Sequence, residues 1–531
     1  MISGEMISRM NNLLIERGLE RTWADILHTR IQNADEKFKY LLENPFFSDS
    51  RPFPFDLIHK LSIGEISVLY EYSLAHVNQE HREDEGQYFT PDDVSIFMSK
   101  KSSLFAPGVW LDPCCGIGNL SFWLINEQTD KEEFILNHLF FIDRDYLALF
   151  ISRVLMTIKF QNKIANFFDA AKDRFLCKDY LESNDLPKYD YALLNPPYVV
   201  TNPNAKFRSA LTKNTYAYFL EKVMENTKGF ISITPQTFTH SPAFNSIRSV
   251  LKNKYSNLSI YCFDNVPQNI FKGYKFGSKN TNKANSTRAA IIVAHSNGIQ
   301  SQMITPLLRW KSTERSQLFS RMEDFLSPAP LYSSIYPKID KGLVPLYFEV
   351  INYPKILKDL LASKKTQFCL QIPSTPRYFI SALKNPVSRS SSRVIYLPNE
   401  QVFNLVYLLV NSSYMYWWWR INDGGMTLSE KTLLTLPIPE SVIIDPQLIL
   451  ELEKSEENNK VFKKNAGKIN ENVKHDEKLI RRINQSLFPA YEKELIYTHN
   501  NSIFIGEKKQ DEGSRQNYAG YSDYQTSFIG H

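Results

Sequence analysis

"YDYALLNPPYVV", residues 189–200, is the stretch on which the reading of this chain turns. Its apolar run through Leu194 has the character of a strand buried on both faces, and it passes directly into Asn195-Pro196-Pro197-Tyr198. Proline fixes its own φ and pushes the residue before it to extended geometry, so a double proline ends a strand. A tight turn is the simplest use for it. At ordinary residue frequencies these four residues in order arise by chance in roughly one chain in several hundred, so the neighbouring sequence has to decide.

The same pattern recurs on both sides. Between Gly86 and Gly298 short apolar runs alternate with helical stretches such as "NLSFWLINEQ" and "YLALFISRVLMTI". The runs are "GVWLDP", "HLFFIDRD", "DRFLCKDY", "YDYALLNPP", "GFISITP", "LSIYCFDN" and "RAAIIVAH", and several end at an acid, an Asn or a Pro. This alternation predicts an α/β fold with a mostly parallel sheet, in which ligands sit beyond the carboxyl ends of the strands. The polar residues at those ends are therefore the candidates for chemistry.

Asp112-Pro113-Cys114-Cys115-Gly116-Ile117-Gly118 follows the first run and precedes a helix. Glycines there let the backbone turn tightly and approach a ligand, and the new helix offers its positive end. Ser121 stands where a dinucleotide fingerprint would place its third glycine. Asp143 ends the second run, placed to accept hydrogen bonds from ribose hydroxyls. Up to this point any adenosine-containing cofactor fits. A phosphate-rich one wants more glycines or a P-loop lysine, so S-adenosylmethionine, which has no phosphate, fits better. Asp179 near the end of the third run is a candidate acceptor for the cofactor's adenine amino group. At the end of the fourth, the Asn195 side-chain carbonyl and the Pro196 backbone carbonyl can both accept from an exocyclic amino group of a base. Pro196 and Pro197 hold these acceptors in fixed geometry, and Tyr198 supplies a flat face for stacking.

"GQYFTP" (86–91), "DPCCGIG" (112–118), "DRD" (143–145) and "NPPY" (195–198), in this order and followed by a separate C-terminal region, resemble the γ class of adenine-specific (N6) DNA methyltransferases of restriction-modification systems. The resemblance covers roughly residues 60–300. It implies a Rossmann-like S-adenosylmethionine-dependent methyltransferase sheet with an N-terminal helical region and a C-terminal target-recognition domain. It also implies that Tyr88, Thr90 and Pro91 close over the methionine part of the cofactor and that Asp112, Pro113, Gly116 and Gly118 line its binding turn. Asp143 would take the ribose and Asp179 the adenine. "NVPQNIFKG" resembles the segment whose Phe packs against the target base, which nominates Phe271, with an ordinary core aromatic the even alternative. The implied substrate is duplex DNA, and the implied partner is a separate restriction endonuclease acting on the same sequence. Cytosine, RNA or protein glutamine as methyl acceptor, or a catalytically silent DNA-binding subunit, are the rival readings.

Between Phe271 and the next run lies a basic stretch without an acid, from which Lys275, Lys279, Lys283 and Arg288 are expected to contact phosphates, against a plain solvated loop. Farther on, Trp417, Trp418 and Trp419 raise base stacking, although consecutive helical residues point in different directions, so at least one belongs to a core. Arg377, Arg389, Arg393 and Arg420 are candidates for contact with base edges or phosphates, with an ordinary solvated Arg the leading reading for any single one.

The remaining bounds come from the whole chain. Its 531 residues are too many for one core. The expected divisions are an N-terminal helical region over 1–85, the methyltransferase domain over 86–300 and the target-recognition domain over 301–445. A charged helical appendage over 446–495 and a disordered tail over 496–531 complete them. In the first region "SIGEISVLYEYSLAHVNQ" opens with Ser62 three residues before Glu65, the spacing of a capping box, and no nuclease motif is evident. The net charge of +5 tolerates a polyanionic partner without demanding one. The five cysteines include no C-x-x-C pair, so neither a disulfide framework nor a thiolate metal site is indicated and no metal is expected. With no secretory signal at the N-terminus and the greasiest stretch, 402–419, broken by Asn and Ser, a cytoplasmic setting is expected.

Overall fold

The computed structural model describes residues 2–77, 90–271, 287–330, 333–376, 378–389, 391–423, 427–440, 442–465 and 468–504. Each of the seven apolar runs forms a strand: β1 (Trp110–Asp112), β2 (Leu139–Asp143), β3 (Phe175–Cys177), β4 (Tyr191–Leu194), β5 (Gly229–Pro235), β6 (Asn257–Cys262) and β7 (Ala289–His295). Two further strands, β8 (Ser301–Ile304) and β9 (Ser327–Pro328), extend the same sheet past residue 300, the expected end of the domain. The strand order is β3-β2-β1-β4-β5-β7-β6-β8-β9. β1 to β5 run parallel, while β7 is inserted antiparallel between β5 and β6.

Both faces of the sheet are covered, which is why its central strands β1, β4, β5 and β7 are buried along nearly their whole length rather than alternating. Trp110, Leu193, Ile231 and Ile291 face one core, and Leu111, Ala192, Phe230 and Ile292 face the other. The first core is shared with the N-terminal helices α1 (Gly4–Gln32) and α2 (Ile63–Val77) and with α3 (Asp92–Lys100), α4 (Asn119–Asn126) and α5 (Tyr146–Phe160). The second is shared with α6 (Thr215–Asn226) and α7 (Asn245–Lys254). α2 starts at the expected capping box: Glu65 N donates to Ser62 Oγ at 3.1 Å and Ser62 N donates to Glu65 Oε2 at 3.2 Å.

A separate hydrophobic core gathers residues from Ile339 to Leu495. The segment 446–495 is thus not a solvated helical appendage. Leu448 and Leu452 on the helix Pro446–Asn458, and Leu479, Ile483 and Leu487 on Glu477–Leu487, are buried in that core. Between the two helices lies a hairpin of Lys460–Asn465 and Lys468–Val473, not continuous helix. The expected disorder after 496 also fails through Phe504: His499 stacks on Tyr416 at 4.3 Å, and Ile503 and Phe504 pack against the first core. Residues 505–531 lie outside the described residues. Among the described residues no helix is long and apolar enough to cross a membrane.

Candidate active site

The strand order reverses between β1 and β4, and an open sheet of this kind leaves a crevice beyond the carboxyl ends of its strands at such a reversal. A cavity of about 470 Å³ lies there. Thr90, Asp112, Pro113 and Gly116 line it from one side, and Asp143, Asp179, Asn195 and Pro197 from the others. Residues from four separate motifs, up to 107 positions apart from Thr90 to Pro197, meet in one cleft.

The turn after β1 explains its glycines. Gly116 and Gly118 have φ of +52° and +85°. A Cβ on Gly118 would fall 2.6 Å from Ser152 Oγ on α5, so this residue lies behind the cavity wall and lets the turn pack onto the helix. Gly116 N donates to Asp143 Oδ2 at 2.7 Å, which ties the β1 turn to the end of β2. Asp145 N donates to the other Asp143 oxygen at 3.0 Å. Burial raises the Asp143 pKa against these bonds. Asp112 is 1% exposed, and burial pushes its pKa up to about 7 even though Ser121 Oγ donates to it at 2.8 Å. Asp179 is exposed at the rim, with Oδ1 accepting from Leu181 N at 2.9 Å.

After β4 the chain turns through the prolines. Pro196 is buried and Pro197 faces the cavity. Asn195 Nδ2 donates to Thr90 Oγ1 at 2.9 Å. The Tyr198 hydroxyl lies 2.8 Å from Asn195 Oδ1 and 3.0 Å from the Ile233 carbonyl, two acceptors sharing one proton. The Tyr198 ring meets Phe271 edge-on at 6.1 Å, and Phe271 is 3% exposed, so the nominated Phe is both a core aromatic and the neighbour of the NPPY tyrosine. Thr90 is held in turn by Asn119 Nδ2, which donates to its carbonyl at 2.6 Å, while Pro91 is buried at the N-cap of α3.

Several expectations do not survive. Arg288 is no phosphate contact: its side chain is buried, and Nε donates to Asp264 Oδ1 at 2.7 Å. Trp417, Trp418 and Trp419 are all buried in the C-terminal core, so none offers a face to a base. Arg420 is buried against Asp264, and Arg389 is a brace donating to Ser381 and Asn472. Tyr88, Lys275, Lys279, Lys283 and Arg377 lie outside the described residues.

Sequence reasoning missed the contribution of α2 to the cleft. Ser67, Tyr70, Glu71 and Leu74 line it at spacings of three and four, one face of a helix. Tyr70 OH donates to Asp145 Oδ2 at 2.6 Å, and Asp145 caps α5 through Leu147 N and Ala148 N. The i, i+3, i+4, i+7 pattern was legible, but a face mixing Ser, Tyr, Glu and Leu reads as neither core nor surface.

Residues 62–277 match the family model described as N-6 DNA Methylase. A Type II methyltransferase, M.BsuBI of Bacillus subtilis, is 31% identical over 201 residues, 34% of this chain and 39% of that protein. M.PstI of Providencia stuartii, also a Type II methyltransferase, is 24% identical over 208 residues, 35% of this chain and 40% of that one. The chain thus spans only about two fifths of the length of each of these relatives. Among solved structures, a DrdV–DNA complex aligns with 69% of this chain and 44% of its own at 13% identity and a TM-score of 0.41. The segment that matches the N-6 DNA Methylase family model contains Thr90, Asp112, Asp143, Asp179, Asn195, Tyr198 and Phe271, the residues whose geometry is described above.

Proposed function

We propose that this chain transfers a methyl group from S-adenosylmethionine to the 6-amino nitrogen of adenine in duplex DNA at a short specific sequence, as the modification activity of a restriction-modification or related defence system. The observation that carries this reading is the position of Asn195-Pro196-Pro197-Tyr198. Asn195 and Pro197 line a cleft at the sheet's reversal point whose other walls carry Asp112, Asp143 and Asp179, and Tyr198 bonds Asn195 Oδ1 behind them.

The cleft's own chemistry fits the cofactor. Carboxylates of Glu71, Asp112, Asp143, Asp145 and Asp179 outnumber the cations Arg144 and Lys178 on its walls, and Lys178 is already paired with Asp185. Such a lining suits a ligand with a sulfonium and an ammonium and would repel a di- or triphosphate. When bound, the sulfonium supplies an electrophilic methyl group and leaves as a neutral thioether. Asp143 would hold the ribose hydroxyls and Asp179 the adenine.

The protein's part is to position the acceptor. The target adenine has to leave the base stack, which costs a few kcal/mol. Asn195 Oδ1 and the Pro196 carbonyl would then accept from its amino group. Tyr198 can release Asn195 Oδ1 and keep Ile233 O, so the incoming amine strands no hydroxyl proton. Fixing both N–H bonds orients the nitrogen lone pair toward the methyl group. Positioning carries the step, and no strong general base is required.

Base-resolved sequencing of a host genome with and without the gene tests the reading. The expected result is 6-methyladenine in one sequence context. Modified cytosine, or no modified base, overturns it. Asp143→Ala should weaken S-adenosylmethionine binding by about 10- to 100-fold, since hydrogen bonds to a charged group are lost, with DNA affinity kept. Unchanged cofactor affinity in calorimetry would remove Asp143 from the site. A restriction endonuclease acting on the same sequence is the proposed partner in the cell.

A further inference from the structure

The chain leaving Tyr198 forms a short ribbon at the mouth of the cleft. Thr201 N donates to the Lys213 carbonyl and Thr215 N to the Val199 carbonyl, with Val200 paired antiparallel to Asn214. Extended backbone alternates its side chains. Val199 and Thr201 face the cleft, so Val200 between them points away and is 77% exposed. At the other end of the ribbon Leu211 is also 77% exposed. Two large aliphatic side chains thus stand in solvent beside the residues that would receive a base.

This projection is braced, not loose. The buried Glu221 on α6 accepts from Arg208 N at 2.7 Å and Ser209 N at 2.8 Å, which fixes the loop from beneath. The Phe207 ring stacks on Tyr218 at 4.8 Å. Residues 199–214 contain Lys206, Arg208 and Lys213 and no acid. Lys206 is paired with Glu182, while Arg208 and Lys213 are exposed beside the aliphatic groups, and such a rigid loop suits a polyanion with an apolar interior. Duplex DNA is such a partner: cations meet its phosphates, and apolar side chains wedge between its bases.

We propose that residues 199–214 are a DNA-docking loop whose Val200 and Leu211 enter the base stack beside the target and occupy the space the extruded adenine leaves. This rests on the reading of the chain as a DNA adenine methyltransferase and assigns to a named element the work of opening the duplex. The aliphatic groups gain burial only when the base is out, so they favour the extruded state over the paired one.

The test uses the full chain and a duplex carrying the sequence that the wild-type protein methylates, identified by sequencing. Val200→Ser with Leu211→Ser should slow methylation of the fully paired duplex about ten-fold or more, and by less than about two-fold when the target adenine faces an abasic site, where extrusion is already easy. Equal rates for variant and wild type on the paired duplex would overturn the proposal. So would an equal loss on both duplexes, which would mean that the loop supports the pocket instead of opening the stack. If sequencing finds no adenine that the wild-type protein methylates, the functional reading itself is rejected, and the docking assignment falls with it.

Discussion

Asn195→Ala is expected to reduce methyl transfer by about 10²–10³-fold, the effect of deleting one preorganised hydrogen-bonding group aimed at the reacting atom, while S-adenosylmethionine affinity stays close to wild type. The asymmetry follows from where the side chain is anchored. The Asn195 side chain bonds Thr90 Oγ1 and the Tyr198 hydroxyl, and Tyr198 keeps the Ile233 carbonyl when Asn195 Oδ1 is gone. The truncation removes two side-chain hydrogen bonds but strands no buried proton of Tyr198, so the local cost is about 1–3 kcal/mol, that of two ordinary hydrogen bonds. Single-turnover methylation, calorimetry with S-adenosylmethionine and thermal unfolding together separate the outcomes. A variant with normal cofactor affinity, near-normal stability and wild-type turnover would remove Asn195 from the reaction. A variant that lost cofactor binding in parallel with turnover would make it a structural support for Thr90.

What the sequence made legible is what local pattern controls. Most of β1 to β7 were visible because a strand buried on both faces is apolar along most of its length, and because several ended at an acid, an Asn or a Pro. The order of motifs then placed Asp112, Asp143, Asp179 and Asn195 at strand ends, which the sheet brings to one cleft. The antiparallel insertion of β7 between β5 and β6 had no local signature, because pairing partners are set by the chain's path between them. The 446–495 segment carried its signal in plain sight. Leu448 and Leu452, and Leu479, Ile483 and Leu487, recur every four residues, yet the density of Lys and Glu around them outweighed that stripe in the reading.

Arg288 failed for a different reason. In sequence it follows a basic loop and looks like one more cation, but a residue's charge says nothing about which carboxylate lies across the fold. Its partner Asp264, directly after β6, also receives Arg309 from the linker to the C-terminal region and Arg420 from the helix Ser413–Asn422. The same nonlocality hid Arg420, whose sequence context offered only a solvated cation or a DNA contact. Three arginines from distant stretches converge on one carboxylate only in three dimensions.

That convergence makes Asp264→Asn the second large effect, expected to destabilise the protein by about 3–5 kcal/mol, the cost of breaking a buried ion pair by removing one partner. The Asp264 side chain is 0% exposed, with Arg288 Nε and Arg309 Nε each 2.7 Å away and Arg420 Nη2 also bound. An amide of the same shape keeps the packing but leaves three buried guanidiniums without a counter-charge. Burial alone would raise the carboxyl's pKa, but Arg420 foremost, with Arg288 and Arg309, overcomes it and holds the group well below the usual carboxylate range. A depressed folded pKa means that the contribution is complete above the unfolded value, near pH 3.9 by ordinary Asp titration (~3.9), and is lost as the pH falls through the folded value. The gap in stability between wild type and variant should therefore stay constant from about pH 5 to 8 and narrow only in stronger acid. Denaturant unfolding over that range measures it. Arg420 sits on the helix that carries Trp417 and Trp419 into the C-terminal core, so the ion pair also joins that core to the sheet. Adding Arg420→Met to Asp264→Asn removes one of the uncompensated charges and should recover part of the loss. Strictly additive losses in the double variant, or a gap that closes between pH 5 and 8, would show that Asp264 does not act as the counter-charge of this cluster.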